Sequence, residues 1–189
     1  MNRALSLPSI SPDVAQSMPV KRKILAIGIA FAATLAVASM SARAEDDNPA
    51  ALAKALSEAS VSLDQGLNAS EREGKPISGK FEIADGALQL SVYTTKGGQF
   101  AEVIVDHKAG SIKKFEPITD AGDLKDAEEQ GEAMGKATRS LSVAVVSAVK
   151  ANSGFRATSA VPMLDGGRPV ASVTLMKGEE IKKVTEKLD

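Results

Sequence analysis

Between residues 77 and 115, apolar and polar positions alternate in three short runs. Ile77, Phe81 and Ile83 alternate with Ser78, Lys80 and Glu82. Leu88, Leu90 and Val92 alternate with Gln89, Ser91 and Tyr93, and residues 100–105 form the run richest in β-branched side chains. A period of two marks a strand with one buried face. Asp85-Gly86 and Lys96-Gly97-Gly98 separate the runs, and residues 106–110 close the third. Glycine accepts the positive φ that tight hairpins need. The pattern predicts a three-stranded meander with one face on a core and the other in water.

Helical spacing flanks the meander. Asn48 is placed as a cap and Pro49 in the first turn. Leu52, Leu56, Ala59, Leu63 and Leu67 then make one apolar stripe, so one helix is expected, ended by Gly74 and Pro76. Pro117 ends this unit. A second helix is expected from Asp120 or Asp123, with Leu124, Ala127, Met134, Ala137, Leu141, Val145 and Ala148 on its stripe and Gly154 at its end. Gly131 and Gly135 lower helix propensity by up to ~1 kcal/mol each, which points to a close approach or a bend. Phe155, Ala157, Ser159, Val161 and Met163 alternate as a strand. Residues 170–176 form the next, and residues 181–184 begin a last one that the chain end cuts short.

The halves repeat. Gly74 matches Gly154, and Asp85-Gly86 matches Asp165-Gly166, at an offset of 80. After that turn the offset is 81, pairing Val92 with Val173, Lys96-Gly97 with Lys177-Gly178 and Val103 with Val184. The helical stripes align near an offset of 78, Leu56 with Met134 and Leu63 with Leu141. The fold class read from this is α+β. It has two tandem α-β-β-β units, residues 45–118 and 119–189, with helices packed on small antiparallel sheets that join into one. A solenoid would need three or more units.

Residues 1–44 read as a leader and signal peptide. Lys21, Arg22 and Lys23 are the basic start, residues 24–37 the apolar run, and Ala42-Arg43-Ala44 the cleavage site, with cleavage after Ala44. The run falls short of the ~20 residues a membrane span takes. Met18 is a candidate start. The expected product is a soluble periplasmic or secreted protein, with no membrane attachment after cleavage. Five of the 23 basic residues and one of the 24 acidic ones precede Glu45, which leaves 18 basic and 23 acidic residues and a net charge of −5. That argues against nucleic acid as a partner. With no Trp and one Tyr, base stacking is also poorly served. The absence of cysteine excludes disulfides, a thiol nucleophile and cysteine-ligated zinc.

Residues 93–110 carry a more specific signal. Phe100-Ala101-Glu102-Val103-Ile104-Val105-Asp106, leading to Lys108-Ala109-Gly110, resembles the PepSY domain, in which a strand carries V-x-V-D-x-x-x-G after a preceding helix. The resemblance covers residues 49–117. The second half resembles a degenerate copy, with Glu186-Lys187 in the place of Val105-Asp106. PepSY domains occur in propeptides of thermolysin-type peptidases and in many exported bacterial proteins. The resemblance therefore implies a free-standing exported module that binds or restrains a peptidase, or an extended peptide, without catalysis. Asp106 is expected to bond turn amides and Gly110 to take positive φ.

No residue is assigned as catalytic, cofactor-binding or metal-binding. His107, the only histidine, is read as a turn residue, since no second ligand accompanies it. Asp120, Asp123, Asp126, Glu128, Glu129 and Glu132 lack the spacing of a calcium loop and read as a charged helix start. No G-x-S-x-G elbow, phosphate loop or dinucleotide fingerprint is present. Open sheet edges could accept a peptide by strand addition, against which Lys113, Lys114, Lys182 and Lys183 read as guards. The alternatives are a structural envelope protein without a specific ligand and a weak hydrolase using His107.

Overall fold

A computed structural model describes residues 48–189. The expected leader and cleavage site, residues 1–44, lie outside the described residues. The elements are α1 (Pro49–Leu56), α2 (Leu63–Ser70), β1 (Lys75–Ala84), β2 (Ala87–Lys96), β3 (Gln99–Val105), β4 (Ile112–Pro117), α3 (Ala121–Lys136), α4 (Leu141–Ala151), β5 (Arg156–Asp165), β6 (Arg168–Lys177) and β7 (Glu180–Lys187). The strands form one antiparallel sheet in the order β4-β3-β2-β1-β5-β6-β7. Two helix pairs and their strands share it, so the tandem α+β reading holds.

Each expected helix is instead two helices. Ser62 opens α2 with a capping box, in which the Gln65 side chain accepts the Ser62 N–H at 2.9 Å. Ser140 opens α4, its hydroxyl accepting the Val143 N–H at 3.3 Å, and Ala137 has already left helical geometry at ψ 137°. An unbroken apolar stripe hid both caps, because a stripe reports which face is buried and not whether the backbone continues. The first unit also has a fourth strand, β4. The second ends in an eight-residue β7, which is a full strand.

The repeat offset is 81 throughout the strands. Asp85 and Gly86 have φ of 52° and 75°, and Gly166 and Gly167 have 56° and 80°, between the closing pairs Ala84–Ala87 and Asp165–Arg168. Asp165 is therefore the last strand residue rather than the first turn residue. Gly79 then corresponds to Ala160. These two equivalents face each other where β1 pairs β5, so a pseudo-twofold axis passes through the middle of the sheet. A Cβ on Gly79 would stand 3.1 Å from Leu67 Cδ2, which shows how closely α2 lies on that point. Leu63, Leu67, Leu141 and Val145 are buried in the same core cluster.

The second sheet face is not simply wet. Ser78, next to Gly79 and so on the opposite face, donates to Gln130 Oε1 of α3 at 2.6 Å. Gly131 passes so close that a Cβ would be 3.2 Å from the Phe100 ring, whereas Gly135 faces open space. The Lys75 ammonium donates to the Met134 carbonyl at 2.6 Å, placing a cation at the negative end of α3. One long helix on this face breaks the twofold symmetry.

Arg156 joins the halves. Its guanidinium donates to the carbonyls of Leu56 and Ala59, each at 3.0 Å, and to that of Val61, and lies 5.2 Å from the Phe81 ring centroid. Burial lowers its pKa from the ordinary value. The Leu56 carbonyl also accepts the Ala59 N–H at 3.1 Å, so the carbonyls of Ala59 and Val61 are the two that rely most on this one side chain. We expect Arg156→Leu to cost about 2–4 kcal/mol, because carbonyls left without donors keep their desolvation penalty. Urea denaturation would measure this, and a loss below ~1 kcal/mol would contradict the assignment.

Candidate functional site

The turn after β3 holds the lone histidine, His107. Asp106 accepts the Lys108 N–H at 2.8 Å and the Ala109 N–H at 2.9 Å, and Gly110 adopts φ 73°. These two amides, with help from Lys113 at 3.3 Å, hold the Asp106 carboxyl down at about 2. The His107 carbonyl accepts two bonds, from Ser60 N–H and Val61 N–H, both at 3.0 Å. In the second half, the Leu188 carbonyl accepts from Thr138 at 2.8 Å and Arg139 at 3.0 Å. Each donor pair directly precedes the residue before a helix start, Ser62 or Ser140. His107 thus occupies the position of Leu188, and its backbone ties the helix pair to the strands. Its ring is partly buried, and desolvation lowers its pKa. Among the described residues, Nδ1 is buried with no hydrogen-bond partner, and no group of ligands is gathered around the ring.

The acidic residues after Pro117 do not converge. Asp120 caps α3, accepting from Gly122 N–H at 2.9 Å and Asp123 N–H at 3.3 Å. Glu129 pairs with Lys125 at 3.8 Å and Glu132 with Lys136 at 3.0 Å. Among the described residues, no group of three or more His, Cys, Asp or Glu is arranged to hold a metal ion. Among them, too, no helix is long and apolar enough to cross a membrane.

The sheet edges are the remaining places where a partner's chemistry could be met. The residues flanking a two-residue hairpin form a hydrogen-bonded pair. Lys96 and Gln99 flank Gly97-Gly98, so Phe100, Glu102 and Ile104 turn their peptide groups to β4. Lys114 and Glu116 answer them, which leaves the Phe115 peptide group facing outward and Pro117 with a carbonyl alone. On β7, the same count from Lys177–Glu180 leaves Ile181, Lys183 and Thr185 outward, while the Lys187 carbonyl is taken by Arg139 Nη1 at 2.7 Å. Lys182 reaches back to Asn152 Oδ1 at 2.6 Å.

β4 has a cavity beside it. A cleft of about 500 Å³ opens at its end, lined chiefly by Phe100, Ala101, Phe115, Pro117, Ile118 and Leu124, with Glu73, Lys96 and Glu128 among its polar lining. Phe115 is 48% exposed, unusual for a phenylalanine. Sequence reasoning missed this site because β4 itself was missed: Lys113 and Lys114 interrupt the alternation, and a register shift accompanies them. The signal that could have found it was Phe115 two residues before Pro117. No family model, curated protein or solved structure matches the chain.

Two outcomes follow. His107→Leu, which reproduces the residue of the second half and removes an unpartnered nitrogen, is expected to leave stability within about 1 kcal/mol of the parent. A larger loss in a thermal melt would show that the imidazole is needed. Asp106 has a depressed folded-state pKa, so its contribution is complete above the ordinary value of 3.8 and is lost as pH falls through about 2. The Lys108 and Ala109 amide NMR shifts should move together with that midpoint. A midpoint near 4 would mean that the turn bonds do not form.

Proposed function

We propose that the chain is an exported, non-catalytic, PepSY-like module that binds an extended segment of a partner protein by adding it to β4, and that the partner is a peptidase it restrains. The observation that carries this reading is the coincidence of an open edge strand, a half-exposed phenylalanine on it and an apolar cleft at its end. Strand addition supplies main-chain bonds, and side-chain pockets beside the edge supply selectivity. β4 offers few bonds, so most discrimination falls to the cleft. One apolar side chain of the bound segment enters between Phe115, Ile118 and Leu124. The residue before it pairs with the Phe115 backbone. A segment held this way is extended, the form in which a peptidase also binds its substrate, and an enzyme loop so held is kept from closing.

The structural reading, with no specific ligand, would call for blunted edges. Lys113, Lys114 and Pro117 do blunt β4, but they leave the cleft open, and the cleft favours binding.

The test is inhibition of a thermolysin-type metallopeptidase by the purified chain, paired with amide NMR of the labelled chain. Dose-dependent inhibition with shifts at Phe115 and Ile118 is expected. Phe115→Asp should weaken it about tenfold or more, since a charge replaces a buried aromatic contact. Inhibition unchanged in Phe115→Asp, or shifts confined to β7, would overturn the assignment to this edge.

A further inference from the structure

The edge strand β4 is complementary to a second copy of itself. Around Phe115 the chain runs Ile112-Lys113-Lys114-Phe115-Glu116-Pro117-Ile118. Two antiparallel copies related by a twofold axis at Phe115 set each residue opposite the one equally far along on the other side. Phe115 then meets Phe115, Lys114 meets Glu116, Lys113 meets Pro117 and Ile112 meets Ile118. The charged residues that face each other are of opposite sign, and the pairs at the centre and at both ends are apolar.

The backbone selects the same centre. Lys114 and Glu116 turn their peptide groups to β3, so the Phe115 N–H and carbonyl face outward. Two outward residues of an antiparallel pair exchange both bonds, which makes Phe115 and its copy a hydrogen-bonded pair on the axis. Pro117 has no N–H, and this register keeps it away from the centre. A centre at Lys114 or at Glu116 would put two like charges on the axis. In-register parallel pairing would set like charges side by side at both positions.

We propose that β4 pairs antiparallel with β4 of a second copy, centred on Phe115, and that this dimer covers its own binding edge. The side chains fit that arrangement. Phe115 is 48% exposed, and its register partner Val103 belongs to the core, so the ring lies at the rim of the helix-covered face. A twofold axis perpendicular to the sheet brings the copy's ring to the same face, and cross-strand aromatic pairs stabilise a sheet. Lys114 and Glu116 share the other face and are already paired along the strand at 2.6 Å. Dimerisation turns that pair into a ring of alternating charges. Lys113 is turned to Asp106 at 3.3 Å and brings no unpaired charge to the Pro117 it meets.

Lysines on an edge discourage foreign strands, and here they admit one that carries an acid opposite Lys114 and a base opposite Glu116. The dimer stands on β4 alone, whereas its effect on binding rests on the peptide-binding reading of that strand. Under that reading a bound segment and a second copy compete for the same outward peptide group of Phe115. The monomer is then the binding form, and dimerisation holds the edge in reserve.

The experiment is sedimentation velocity of the full chain over about a hundredfold range of concentration, in which mass action should carry the parent from monomer to dimer. Lys114→Glu and Glu116→Lys should each weaken dimerisation about tenfold or more, since each turns opposite-charge pairs into like-charge pairs. An equimolar mixture of the two variants should dimerise again, because each strand then meets its opposite. Restoration on mixing also shows that both variants fold. A parent chain that stays monomeric, a dimer that either variant leaves unchanged, or a mixture that does not recover would overturn the proposal. These readings involve no peptidase. A dimer with this charge pattern but no inhibition would remove the peptide-binding reading alone, and inhibition by a chain that never dimerises would remove the dimer alone.

Discussion

A seven-stranded sheet built from two units is continuous only if the units meet edge to edge, and here they meet over very little. β1 and β5 pair in register at Gly79–Ala160 and Lys80–Ser159. Two pairs cannot hold two halves alone, since net backbone hydrogen bonds are worth only about 1 kcal/mol each. The join is held from above, by α2 and α4 meeting over the axis with Leu63, Leu67, Leu141 and Val145 buried. Close helix approach requires a residue without a side chain on that axis, and Gly79 provides it. Arg156 adds a second tie, from the start of β5 to three carbonyls of the first unit.

The two units are equivalent in how they are fastened and different in what they expose. In both, one carbonyl past the third strand receives two N–H groups from the segment leading into the second helix. This shared fastening explains why His107 and Leu188 can differ in side chain and agree in backbone. The difference lies in α3. At sixteen residues it is twice the length of α1, and it crosses to the opposite sheet face. Near its start it helps to form the cleft beside β4. The symmetry breaks where the candidate binding site lies.

The same face also holds polar chemistry on a sheet that its alternation marks as solvated. Ser91 Oγ lies 2.9 Å from Glu82 Oε1 and 2.7 Å from Glu102 Oε1 because three strands align their outward polar residues in one row. Each residue is an ordinary strand-surface residue when read alone. Their closeness follows from cross-strand register, which no single strand contains.

What could be read from the residues follows from local physics. Period-two alternation and glycine turns located six of the seven strands, because side-chain parity and positive φ are properties of neighbouring residues. The duplication was visible for the same reason, although its offset in β5 was off by one: Asp165-Gly166 imitates Asp85-Gly86, and only the closing pair Asp165–Arg168 separates them. The helix breaks at Ser62 and Ser140, the strand β4 behind two lysines and the face taken by α3 were not legible. An apolar stripe is blind to backbone breaks, a bulged charged strand has no period, and a helix's choice of face is settled by packing. The sequence by itself determined an α+β duplication with strand-rich halves. The tertiary structure alone decided where the halves join, which edge has a cleft and which carboxylates meet, because those depend on register between segments far apart in the chain.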